Sequence, residues 1–286
     1  MKLVSWNINS LRLRLPLLKK FIAKANPDVV CLQEIKVSDP EFPLLEVKAL
    51  GFDFVEFSGE KSYNGVAILS KFPLTKINKI DVCNYGHKRH ISATVKGIEL
   101  HNFYVPAGGD IPDVALNDKF AHKLKFIDWM TTHFSSIQDL LEEEAGSPYL
   151  GGSSRRVSAT KGVHKKIILV GDLNIAPLEH DVWSHKQLLK IVSHTPIEVE
   201  KMTRLQESLN FIDTHRHFVD ASEKLYSWWS YRAKDPLTAN KGRRLDHIWA
   251  TPNLKSNIKS MKIYRDFRSE IQPSDHVPIE TVFDFL

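Results

Sequence analysis

Apolar residues run through this chain in short blocks, and most of the blocks stop at a polar side chain. Lys2–Trp6, Asp28–Leu32, Gly65–Ser70 and Ile167–Val170 are rich in β-branched and aliphatic residues and have the length of buried strands. Phe52–Phe57 alternates, as a strand with one buried face does. Ile91–Val95 and Ile98–Val105 flank Lys96-Gly97 and predict a hairpin. Tyr226–Tyr231, Leu245–Ala250 and Ile279–Phe285 complete the strands. Helical spacing marks three segments. Pro16–Ala25 is apolar at 17, 18, 21, 22 and 25, with Pro27 beyond its end. Asn117 to about Glu144 carries Phe120, Leu124, Ile127 and Met130 on one stripe. Glu200–Leu209 makes the third.

Strands outnumber helices, and helices fall between groups of strands. That order predicts a layered α/β protein with mixed sheets rather than a βαβ repeat. No composition break is long enough to be a linker, so a single domain is expected over 1–286. Residues 145–164, AGSPYLGGSSRRVSATKGVH, stand apart. Rich in Gly and Ser, they follow Glu142-Glu143-Glu144 and predict a surface insertion. Arg155 and Arg156 leave a second reading open, a basic tether for nucleic acid.

Composition narrows the class. At 286 residues and 42% hydrophobic, the chain can bury a sizeable core. No apolar stretch has transmembrane length and MKLVSWNINS lacks the parts of a signal peptide, so a cytoplasmic protein without a membrane partner is expected. Cys31 and Cys83 give neither a disulfide framework nor a metal spacing, and Cys31, within VVCLQE, reads as core filler. A formal net charge of +5 favours a polyanionic partner, though only weakly.

The polar residues that end the apolar blocks carry the chemistry. Asn7 follows the first strand, Glu34 the second, Tyr104 closes the hairpin, and Asp172 and Asn174 follow Ile167–Val170. Asp246 follows Arg243-Arg244-Leu245, and Asp275-His276 precedes the last strand. Singly, each reads as a turn former or a solvated loop residue. Together they predict one crevice, because ligands of layered α/β proteins bind where strand ends converge. Oxygen ligands without Cys point to a hard divalent cation such as Mg²⁺, for which Mn²⁺ can substitute. A carboxylate-oriented His can be charged near neutral pH, and an Asp beside an Asn can orient and deprotonate water. The sum is metal-assisted hydrolysis of a phosphate ester.

SWNINSLR, LQEIK, NGVAILS, NFYVPAGGD, GDLNIAP, YSWWSYR, RRLDHIWA and SDHVPI occur in this order. The set resembles the exonuclease III type of apurinic/apyrimidinic endonuclease, of the endonuclease/exonuclease/phosphatase superfamily. The resemblance runs from residue 1 to 286 apart from 145–164. It implies a four-layered α/β sandwich, two mixed sheets face to face with helices outside. It implies a monomer acting on double-stranded DNA with abasic sites or 3′ ends. It also implies roles. Glu34 is the principal Mg²⁺ ligand, with Asn7 supporting the metal site and Asp275 near it. Tyr104 contacts the scissile phosphate. Asp172 activates the attacking water beside Asn174. Asp246 orients His276, which contacts the phosphate. Trp228 lines the pocket for a base-less sugar, with Leu245 a further substrate contact; alternation alone does not say which of Trp228 and Trp229 faces the site.

Two positions depart from that pattern. Some relatives carry an acid where Asn9 stands, and an amide weakens a second metal position. Many have Asn or Gln where this chain has Ala107, which cannot hydrogen-bond through its side chain. The rival expectations are a phosphatase or phosphodiesterase of the same superfamily on inositol phosphates or lipids, a catalytically inactive DNA-binding relative and, last, a scaffold.

Overall fold

The computed structural model describes residues 1–146, 165–232, 238 and 240–285. Its strands are β1 (Lys2–Asn7), β2 (Val29–Gln33), β3 (Phe54–Ser58), β4 (Val66–Ser70), β5 (Leu74–Asn78), β6 (His90–Val95), β7 (Ile98–Tyr104), β8 (Ile167–Asp172), β9 (Ile212–Asp213), β10 (Trp228–Trp229), β11 (Gly242–Arg243), β12 (Asp246–Ala250), β13 (Ile258–Ile263) and β14 (Ile279–Phe283). The helices are α1 (Leu11–Ala25), α2 (Leu44–Lys48), α3 (Asp118–Gly146), α4 (His185–Leu188) and α5 (Pro196–Glu207). None is long and apolar enough to cross a membrane, among the described residues.

The strands form two six-stranded sheets, ordered β13-β14-β1-β2-β4-β3 and β5-β6-β7-β8-β12-β9. Each is mixed, with a parallel β1/β2 pair in one, a parallel β7/β8 pair in the other, and antiparallel neighbours. Alternation along the strands builds the layers. Leu3, Val29, Cys31 and Ile68 of the first sheet pack against Ile91, Leu100, Val170 and Ile248 of the second. Val4, Trp6, Val30 and Leu69 point the other way, against Leu18, Phe21 and Ile22 of α1. Phe103, Leu169 and Trp249 cover the opposite outer face with Phe126, Met130 and Phe134 of α3 and Met202 and Leu205 of α5. Three apolar seams make four layers, the expected sandwich. Cys31 is buried and, like Cys83, unpaired.

Several expected elements shift. Helix α1 begins at Leu11 rather than Pro16, because a break at Arg14 (φ −108°) accommodates the proline within the helix. Helix α5 begins at Pro196, not Glu200: Thr195 and Glu198 form a reciprocal cap with Pro at the first position. The expected strand 226–231 pairs only at Trp228–Trp229. Edge strands β5 and β13 were not expected; both are mostly exposed and carry lysines, so neither has an apolar signature. The hairpin turns at Lys96-Gly97 as expected, with both residues at positive φ. Of the expected insertion 145–164, Ala145 and Gly146 close α3, and the rest, with Arg155 and Arg156, lies outside the described residues.

Strand direction places the chemistry. β1, β2, β7 and β8 end at one edge of the sandwich, and β12 and β14, which run antiparallel to β8 and β1, begin there. Gly171 lets β8 lie against β7 at that edge. Its φ is +148°, and a Cβ there would stand 1.9 Å from the Phe103 carbonyl oxygen. Gly171→Ala should therefore force the two central strands apart and destabilise the fold by about 3 kcal/mol or more. The check is the urea midpoint, with an unchanged midpoint meaning that β8 can shift without loss.

Candidate active site

Each polar residue that ends an apolar block reaches one cleft of about 620 Å³ or the layer directly beneath it. Glu34, Tyr104, Ala107, Asn174, Trp228, Leu245, Asp275 and His276 line the cleft. Asn7, Asp172 and Asp246 are buried below. The loops that turn there hold Glu34 and Asn174 in the left-handed region, at φ +49° and +53°.

Asn7 ties the floor together. Its one amide nitrogen donates to Glu34 Oε1 and to Asp172 Oδ2, both at 2.9 Å. Tyr104 donates its hydroxyl to the same Glu34 oxygen at 2.7 Å. The other Glu34 oxygen pairs with Lys36 Nζ at 2.7 Å, and that ammonium also donates to Asn9 Oδ1 at 2.7 Å. Burial pushes the Glu34 pKa up, but Lys36, Asn7 and Tyr104 outweigh it and hold the carboxyl below its ordinary range. Tyr104 moves the other way: burial first, then the Glu34 charge, keeps its hydroxyl protonated.

A second cluster adjoins the first. Asp172 accepts the Asn174 backbone N–H at 3.0 Å and the Asn174 side chain at 3.1 Å. His276 Nδ1 bonds Asp246 Oδ2 at 2.8 Å, while its Nε2 faces Asp172 Oδ2 at 3.6 Å. Ser227 donates to the same Asp246 oxygen at 2.6 Å, leaving Asp246 Oδ1 buried without a partner. Burial works against an imidazolium, but Asp246 and then Asp172 more than offset it, so the His276 pKa rises. Burial raises Asp172, which His276 opposes and Asp246 reinforces. His276 thus lies between two carboxyl groups that hold its ring toward the protonated form.

The structure settles the orientation of the tryptophans. Trp228 lines the cleft and donates Nε1 to Asp275 Oδ2 at 3.0 Å, whereas Trp229 packs inward with Tyr226 and Val277. Asp275 accepts from Asn9 as well, at 3.0 Å, and its pKa is lowered because His276, Asn9 and Trp228 outweigh burial. Ala107 contributes its backbone: its carbonyl accepts from Lys123 Nζ at 3.2 Å.

Sequence reasoning passed over the residues that brace this site. Lys36 was legible only as the last letter of LQEIK. Lys123, fully buried, pairs with Glu198 and donates to the Asn174 carbonyl at 2.8 Å. Arg244, also buried, joins Asp181 and Asp213 at 2.8 and 2.7 Å beneath the start of β12. In Arg243-Arg244 the sequence gives no sign that one arginine enters the core and the other the cleft.

All-oxygen donors suit a hard cation. Glu34 Oε2 and Asn9 Oδ1 already converge on an ammonium, so the pair fits a positive charge without rearrangement. Among the described residues, Asp172, Asp246 and His276 also bring ligand-type atoms within 4.8 Å of one another. In that second group His276 Nδ1 is already bound to Asp246.

A raised pKa means that the folded protein keeps the His276 ring protonated as pH climbs past about 6.5, where a free imidazole loses its proton. By NMR the ring should titrate at higher pH than ordinary histidine, and Asp246→Asn should move that titration to lower pH. A ring titrating at the same pH in both proteins would remove Asp246 as its main partner.

Known proteins share both the sequence and this architecture. Residues 4–276 match the Endonuclease/Exonuclease/phosphatase family. An exodeoxyribonuclease III of Haemophilus influenzae is 32% identical, over 99% of this chain and all of that protein. An exodeoxyribonuclease of Bacillus subtilis is 29% identical over the same shares. An AP endonuclease from Archaeoglobus fulgidus superposes with a TM-score of 0.84 at 28% identity, and a 3′ phosphatase from Neisseria bound to a product DNA hairpin with 0.85 at 27%, each over the full length of both chains. The chain belongs to the Endonuclease/Exonuclease/phosphatase family, whose nucleases are metal-dependent.

Proposed function

We propose that this protein is a Mg²⁺-dependent DNA-repair nuclease that hydrolyses the phosphodiester 5′ of abasic sites and also trims 3′ ends. The observation that carries the reading is the meeting, in one cleft, of a carboxylate held by Asn7, Tyr104 and Lys36 with an imidazolium set between Asp172 and Asp246. The relatives' names and the DNA-bound structural neighbour support DNA as the substrate.

Each side chain takes a part that its surroundings allow. Glu34, with Asn7, Asn9 and Asp275 around it, holds the metal, which when bound supplies Lewis-acid stabilisation of charge on the phosphate. Tyr104, kept protonated, turns its one hydroxyl proton from Glu34 to a phosphate oxygen when the substrate is bound. Asp172, fixed by Asn7 and Asn174, accepts a proton from the attacking water. His276, kept charged by Asp246, offers Nε2–H to the charge that builds on phosphorus oxygens. The P–O3′ bond breaks, giving a 3′ hydroxyl and a 5′ phosphate. Trp228 supplies a rigid wall for a sugar turned out of the helix, which is easiest where no base is stacked. Leu245 extends that wall.

Glu34→Gln keeps the size and removes the charge. It should lower abasic-site cleavage at saturating Mg²⁺ by about two to three orders of magnitude while DNA binding is retained. A gel assay on a duplex with one abasic site, with and without Mg²⁺ and beside a recessed 3′ end, reads both the reaction and the metal. Full activity in the variant, or in chelator, would overturn the assignment.

Trp228→Ala should cost about 1–3 kcal/mol at abasic sites, the worth of one aromatic wall. The measurement is the ratio of kcat/KM on abasic and undamaged duplexes. A ratio that holds would place selectivity elsewhere in the cleft.

A further inference from the structure

Arg243 lines the cleft, and the proposed reaction gives it no task. It lines the cleft with Trp228 and Leu245, and its guanidinium lies over the Trp228 ring at 5.3 Å from the centroid. The pocket wall is therefore part indole and part cation. One terminal nitrogen, Nη1, is spent on the fold, donating to the Val192 carbonyl at 3.1 Å and to Ser193 Oγ at 2.7 Å. Nε is buried with no partner, and Nη2 makes no hydrogen bond to the described residues.

The charge is also unanswered. Arg243 forms no ion pair among the described residues, and the acid that acts on it electrostatically, Glu198, is saturated. Glu198 pairs with Lys123 and accepts the backbone N–H groups of Ser193 and Thr195. Two bonds thus fix the guanidinium in place over the indole and partly desolvated, with Nη2 uncommitted among the described residues. Such a group suits a phosphate, because a hydrogen bond from a fixed cation to a phosphate oxygen is charge-assisted.

Its position says which phosphate. Trp228 bridges His276 on one side and pairs with Arg243 of β11 on the other, so the segments carrying His276 and Arg243 flank Trp228. At the usual strand spacing their backbones are about 10 Å apart, a separation that two long side chains narrow to that of neighbouring phosphates. With the scissile phosphate at His276 and the extruded sugar against Trp228, the next phosphate along the strand lies toward Arg243. We propose that Arg243 binds the phosphate on the 3′ side of the residue seated against Trp228, so that the cleft prefers a residue inside a strand over one at its 3′ end. This inference rests on the nuclease reading above and assigns the endonuclease preference within it to one side chain.

The test compares two duplexes carrying a tetrahydrofuran abasic analogue, one with the analogue inside a strand and one with it at a recessed 3′ terminus. Arg243→Gln should lower the ratio of kcat/KM, internal over terminal, by at least about tenfold, the scale of one hydrogen bond to a charged group. A ratio equal to that of the wild type overturns the proposal. A second measurement leaves the protein intact. Replacing the phosphate 3′ of the internal analogue with a neutral methylphosphonate should cost the wild type a similar factor and cost Arg243→Gln much less. An equal loss in both proteins would mean that another group reads that phosphate, and the proposal falls. A wild type that cuts neither duplex overturns the nuclease reading itself, and this inference with it.

Discussion

Two sheets stacked through apolar faces can slide over each other, and a site built from both needs something that fixes their offset. A buried polar seam does this. Asn7, in one sheet, donates to a carboxylate on each side of the divide, Glu34 after β2 and Asp172 on β8. Behind it, Asn102 on β7 accepts from Gln33 at 2.7 Å and donates to the Leu32 and Ala67 carbonyls at 3.0 Å. Each bond is directional and sealed from water, so a slip of one residue would strand several buried polar groups at once. The positions of Glu34, Tyr104, Asp172 and His276 relative to one another follow from that seam.

Charge sets a second constraint. Buried acids beneath the cleft are stable only with cations in reach, and each finds one: Asp172 and Asp246 share His276, Asp181 and Asp213 share Arg244, and Glu198 takes Lys123. The last two groups do not line the cleft themselves. They hold the backbone at Arg244 and, through Lys123, at Ala107 and Asn174, beside or within the segments from which cleft side chains project. At the cleft, Lys36 sits on Glu34, while Arg243 has no acid paired with it among the described residues.

The layered fold was legible because its central strands are apolar on both faces, and Val29–Leu32 and Ile167–Val170 could hardly be anything but interior. The edge strands were not, since β5 and β13 cover little and are written in lysines and polar residues. The site residues stood out for one physical reason: a carboxylate, amide or phenol that ends an apolar run is at once near the core and at its boundary. Braces such as Lys123 lacked that mark. Lys123 lies within a helix, among residues where a lysine ordinarily faces water, and only the fold reveals Glu198 beside it. The facing of Trp228 and Trp229 could not be read either, because both faces of that short strand are occupied.

The order of strands in the first sheet also bears on how the molecule is made. β14 sits between β13 and β1, and the indole N–H of Trp6 donates to the His276 carbonyl across 270 positions of sequence. A contact so distant is among the last that a growing chain can form. Asp172 and Asp246 emerge well before the imidazolium that makes their burial tolerable. Until the final strand arrives, the first sheet stands open beside β1 and the two acids have every reason to stay hydrated. Synthesis thus withholds the cleft until β14 exists, and a product cut short before Asp275 carries most of the motifs with no closed site to put them in.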